Sequence, residues 1–106
     1  NSHDVEFLKF LEWDDALQSQ RLPREWVAAM IDYQRRFAKA PASDIPLSIV
    51  QGSGDGTVDW RFNLRNLQKK FPNSKSYRVA DARHHLVNES REFRSRVFTA
   101  IAKCIG

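Results

Sequence analysis

Two short apolar segments, each followed by a helical one, set the tightest limit on how this chain folds. Pro46-Leu-Ser-Ile-Val-Gln-Gly52 reads as a strand with a proline before it and glycines at its exit. Residues 75–80, with Tyr77 and Val79 on alternate positions, read as a second. Between them Asp59 stands as an N-cap ahead of Trp60, Leu64, Leu67 and Phe71 at helical spacing, and Pro72-Asn-Ser74 stops that helix. Ser90 is the matching cap for a last helix carrying Phe93, Val97, Ile101 and Cys104. Strand, helix, strand, helix is the grammar of an α/β fold with a parallel sheet. Two strands alone leave edges and faces uncovered, so the expectation is an incomplete α/β unit, residues 42–106, that belongs to a larger sheet.

The front of the chain has a different character. Val5, Leu8 and Leu11, or Phe7 and Phe10, fall on one face of a short helix over residues 5–13, and residues 14–15 and 18–20 read as connecting loop. Pro23 opens a second helix to about residue 38, with Trp26, Met30, Tyr33 and Phe37 spaced four, three and four apart. A linker at residues 40–44 follows. Residues 1–41, helical and without a strand, read as a cap or packing layer over the part that follows.

Composition narrows the function classes. With 106 residues, 42% hydrophobic and 28% charged, the chain is one ordinary globular unit at most. Its net charge of +4 is a mild excess. The basic residues Arg35, Arg36, Lys69, Lys70, Arg91, Arg94 and Arg96 lie on helical segments, where solvated faces account for them. Nucleic acid is therefore not expected as a partner, and a small basic nucleic-acid binder using the Arg91 helix stands as the weakest alternative. No apolar run approaches the roughly 20 residues that cross a bilayer, so the expected setting is cytoplasmic, with at most peripheral membrane contact. Cys104 is the single cysteine, which excludes an internal disulfide, and its place on the apolar stripe predicts a small buried hydrophobe. The chain opens at Asn1 rather than at a methionine, as either a processed or a truncated product would.

The chemistry gathers at the strand ends. In parallel α/β sheets functional groups collect in the loops at the carboxyl ends of the strands. Here the first strand runs into Gly52-Ser-Gly-Asp55 and the second into Ala82-Arg-His84-His85. Neighbouring strands lie about 4.8 Å apart, so Asp55 and His84 can meet across the gap. A carboxylate bonded to one ring nitrogen fixes the tautomer of a histidine and stabilises its imidazolium, which makes the two a candidate acid–base pair. The competing readings are structural. Asp in a Gly-rich loop often serves turn geometry, and Asp59 is better explained as a cap. His85 reads as a loop histidine, while Asn88 and Glu89 organise the turn into the last helix. The loop lacks the alternating acids of a calcium site, so no metal and no cofactor is implied.

PLSIVQGSGDGTVD followed about thirty residues later by ARHHLVNE resembles the C-terminal part of the α/β-hydrolase fold, in the branch of monoacylglycerol lipases, lysophospholipases and serine aminopeptidase-like hydrolases. In that branch a Gly-x-x-Asp after a strand carries the triad acid, matched here by Gly52 and Asp55. A His-x-x-x-Asn-Glu carries the base, matched by His84, Asn88 and Glu89. Asn1-Ser-His-Asp-Val-Glu-Phe-Leu8, with Asp15-Ala-Leu-Gln18 and Pro23-Arg-Glu-Trp-Val-Ala-Ala-Met30, is similar to the end of the cap region in bacterial members. The resemblance implies a carboxylic ester hydrolase with a lipid-like ester substrate. It also implies a Ser-Asp-His triad whose serine lies upstream, because no Gly-x-Ser-x-Gly elbow and no oxyanion-hole loop occur in these 106 residues. A single-chain hydrolase of this kind needs roughly 200–250 residues. The expected partner is thus the missing N-terminal half, on the same or a separate chain, and these residues alone are expected to be inactive. The alternative from another class is a non-catalytic fragment or interaction module that pairs through an exposed sheet edge.

Overall fold

The computed structural model describes residues 1–16 and 21–106. Among them are four α-helices and two strands, in the order α1 (Val5–Lys9), α2 (Arg24–Lys39), β1 (Ser48–Gly52), α3 (Trp60–Lys70), β2 (Lys75–Val79) and α4 (Arg91–Ile105). The predicted loop at residues 18–20 lies outside the described residues.

β1 and β2 pair in parallel, in register from Ser48 opposite Lys75 to Gly52 opposite Val79. Side chains on a strand alternate between faces, and this alternation sorts the two covering helices. Val50 and Val79 pack with Val97, Phe93 and Ile101 of α4. On the opposite pleat Ser76 accepts a hydrogen bond from Gln68 of α3 at 3.0 Å, and the Arg78 guanidinium lies 5.3 Å from the Trp60 ring centroid. One helix therefore lies on each face of the sheet, the layering of an α/β unit. Trp60 and Leu64 are buried under α3, and Val97 anchors α4 at 1% exposure.

Local chemistry explains the boundaries. The Asp59 carboxylate accepts from the Phe62 N–H at 3.2 Å and caps α3 as its position predicts. Pro23 starts α2, and Ala40 stops it in an extended conformation because the following Pro41 disfavours helical geometry there. Three expectations need correction. The helix over residues 5–13 is α-helical only to Lys9. Phe10–Asp14 form a π-turn whose extra residue throws the apolar face out of phase, and Trp13 is left 77% exposed. Ser90 occupies the N-cap position of α4 as expected but makes no side-chain cap hydrogen bond, and its own N–H goes to the buried Glu89 carboxylate at 3.0 Å. Cys104 is half-buried rather than buried.

The packing is sparse for the mass. The chain exposes 8327 Å², whereas a compact monomer of this size exposes about 6,100 Å². Its radius of gyration is 15.8 Å against about 13 Å for a compact chain of this length. No helix among the described residues is long and apolar enough to cross a membrane.

Candidate functional site

The loops leaving the two strands are joined backbone to backbone. Ser53 N–H donates to Val79 O at 3.1 Å, Gly54 N–H to Ala82 O at 2.9 Å, and Asp81 N–H to Ser53 Oγ at 2.8 Å. This approach explains the glycines. A Cβ on Gly52 would come 2.7 Å from the Ala82 carbonyl carbon, and one on Gly54 would come 2.8 Å from that of Asp81. Any side chain at either place pushes the two loops apart. Across from them Asp81 turns the chain with φ 61°, a left-handed conformation that Asp tolerates better than most residues.

The result is contact between the acid and the imidazole that the strand order brings to one edge. His84 Nδ1 lies 2.8 Å from Asp55 Oδ2. The Asp55 side chain is 5% exposed and that of His84 38%. Burial pushes the Asp55 carboxyl pKa up. Hydrogen bonds from His84 and from the Thr57 and Val58 N–H groups, at 2.9 and 3.3 Å, outweigh it and leave the net value below the usual one. An ionised carboxylate can only accept, so Nδ1 carries the proton and donates it. On the neutral ring Nε2 then holds a lone pair, with no hydrogen-bonding partner among the described residues. Gln51 Nε2, 3.4 Å from Asp55 Oδ2 and 3.0 Å from Gly52 O, steadies the acid from the strand side.

The neighbours behave as structural residues. His85 donates its N–H to Asn1 O at 2.9 Å, and its ring meets Phe7 edge-on at 5.2 Å. Burial and the adjacent His84 hold its pKa below the ordinary imidazole value, so it stays neutral at neutral pH. Asp59 is engaged at the start of α3. Among the described residues no cluster of three His, Cys, Asp or Glu side chains is arranged to hold a metal ion.

Sequence reasoning missed how residues 1–4 cross to the histidine loop. Ser2 is fully buried, donating to Asn88 O at 2.7 Å and accepting from Asp4 N–H at 2.9 Å. The His3 N–H and ring both reach Glu89, at 2.8 and 3.0 Å. Asn1 Oδ1 accepts from the Thr57 hydroxyl. The partners of Ser2 and His3 lie 86 positions away in the chain, and no local pattern announces them. Glu89 carried the one usable signal, an acid directly before a helix start, where the dipole favours negative charge.

Comparison with protein-family models, with characterised proteins and with solved structures finds no match for this chain.

Proposed function

We propose that this chain supplies the acid and the base of a serine hydrolase acting on carboxylic esters, of the lysophospholipase or monoacylglycerol-lipase type within the α/β-hydrolase fold, and that the nucleophilic serine comes from polypeptide outside these residues. The observation that carries the reading is the 2.8 Å bond from His84 Nδ1 to a largely buried Asp55, with Nε2 left free to act.

In this reading Nε2 takes the proton of the serine hydroxyl as its oxygen attacks the ester carbonyl. Asp55 stabilises the imidazolium that results. As the tetrahedral intermediate collapses, His84 returns that proton to the departing alkoxide, and an alcohol leaves. Water then repeats the attack on the acyl-serine, again giving its proton to His84, and the products are a free acid and the regenerated serine. These 106 residues provide neither the nucleophile nor the oxyanion hole, so chemistry waits on the missing half.

Two further features fit. A groove of about 880 Å³ between α2 and α3 is lined by Met30, Tyr33, Phe37, Val58 and Phe62, apolar side chains suited to an acyl chain. Val58, one of its lining residues, donates its N–H to Asp55 at 3.3 Å. The excess exposed surface suits a sheet that continues on another part of the enzyme. The alternative of a non-catalytic interaction module uses the same uncovered surface but leaves the Asp55–His84 pair without a purpose.

The test is complementation. Joined to its upstream half, the chain is expected to hydrolyse a medium-chain monoacyl ester and to be labelled by a serine-directed phosphonate. A complete protein that does neither overturns the reading, and salt-sensitive binding of DNA or RNA by the chain points to a basic module instead.

A further inference from the structure

Glu89 is a fully buried carboxylate for which ester hydrolysis has no direct use. Two oxygens receive four donors. Oε1 accepts the Arg83 N–H at 2.8 Å and the His3 ring at 3.0 Å, while Oε2 accepts the His3 N–H at 2.8 Å and the Ser90 N–H at 3.0 Å. Burial opposes the charge, but the backbone donors and His3 more than offset it, and the carboxyl stays below its usual pKa.

The places it grips matter more than their number. Arg83 is the residue directly before His84, and Ser90 is the N-cap residue directly before α4. His3 sits on a strap that stacks on Phe93, with centroids 4.2 Å apart, and that is tied down again by the Arg83 guanidinium on Ser2 O at 3.0 Å. One side chain thus fixes the backbone on which the imidazole is mounted to the helix behind it and to the strap beside it.

We propose that Glu89 is the positioning residue of His84, holding the imidazole where Nδ1 can donate to Asp55. The proposal rests on the reading of Asp55 and His84 as the working pair. It requires a carboxylate and not merely a polar group of that size. Glutamine is isosteric, but its NH₂ would face either the Arg83 N–H or the N–H groups of His3 and Ser90, donor against donor.

The readout is the tautomer of His84, taken from ring ¹⁵N shifts of the histidine-labelled protein. A purely structural role would lower the melting temperature and leave this signature alone. The starting protein is expected to hold the Nδ1–H form. Glu89→Gln is expected to make Nε2–H the larger population, and His3→Ala to move it the same way by less, because the His3 backbone N–H still donates. A folded Glu89→Gln protein that keeps the original tautomer overturns the proposal. If that variant does not fold, an unchanged tautomer in His3→Ala does the same. Asp55→Ala separates the two levels. If it shifts the tautomer while the Glu89 and His3 variants do not, the positioning role alone fails; if it also leaves the tautomer unchanged, the pair itself is wrong and this proposal falls with it.

Discussion

The carboxyl-terminal edge of the sheet and the α2 helix are built on opposite terms. At the sheet edge, loops from β1 and β2 and the strap at residues 1–4 satisfy one another, and Ser2, Ala82 and Glu89 have no exposed surface. On α2, Trp26, Met30 and Tyr33 carry an apolar stripe that stays 52%, 40% and 61% exposed. The ion pair on that helix, Asp32 with Arg36 at 2.9 Å, lies in solvent and is worth at most a few tenths of a kcal/mol. The contrast separates two kinds of information. The edge that carries Asp55 and His84 is determined within this chain, whereas the apolar face of α2 has a surface to bury and little among the described residues to bury it against.

The harshest test of that contrast is at the pair itself. If the pair serves the proposed hydrolase, His84→Ala or Asp55→Ala in the complemented protein is expected to cost on the order of 10³–10⁴ or more in kcat with KM little changed, the loss typical of a triad. His85→Ala, which removes a ring packed on Phe7, should cost less than about tenfold by the same assay. Equal losses at His84 and His85 would erase the distinction between them.

Next in size comes the seam between the two loops. Gly54→Ala places a methyl against the Asp81 carbonyl, and Gly52→Ala does so against Ala82. Each is expected to destabilise by about 1–3 kcal/mol in urea titration, the usual cost of forcing atoms into a packed site. Gly56→Ala is the control, because nothing lies within 4 Å of the place its methyl would take, and it should stay within about 0.5 kcal/mol.

How much of this could be read in advance follows from the range of the interactions. β1, α3, β2 and α4 were legible because caps, prolines and side-chain periodicity act within a few residues. Asp59 and the Phe93–Val97–Ile101 face are examples. The meeting of Asp55 with His84 was legible because parallel strands deliver their exits to one edge. Glu89 was half legible: its position before α4 suggested a turn residue, but the donors from His3 come from the other end of the chain. The π-turn at Phe10–Asp14 was not legible, since Val5, Leu8 and Leu11 keep a helical rhythm that the backbone then breaks.

A smaller effect should appear with pH. Asp55 and Glu89 both have pKa values lowered by folding, so the native state binds fewer protons than the unfolded chain as acid is added. Their contribution is complete above the ordinary carboxylate range, about pH 4, and is lost as pH falls through the lower native values. Urea midpoints should therefore drop on acidification below about pH 4, and less steeply in the Asp55→Ala and Glu89→Gln proteins. An identical slope in all three would mean that neither carboxylate is held by the contacts described.

The smallest effect on stability is expected on α2, where it discriminates best. Tyr33→Ser changes a side chain that is 61% exposed and Met30→Ser one that is 40% exposed, so the unfolding free energy should move by about 1 kcal/mol or less, and less at Tyr33 than at Met30. The same residues line the groove that also includes Val58, whose N–H bonds Asp55. If an acyl chain lies there, both substitutions should raise KM for long-chain esters and leave short-chain esters nearly untouched, with each CH₂ lost from contact worth up to about 0.8 kcal/mol. A uniform change across chain lengths would remove the groove from the proposed substrate path and make the stripe on α2 a packing surface instead. The stability and the chain-length profile must be measured on the same variants, because only their disagreement separates a surface built for substrate from one built for packing.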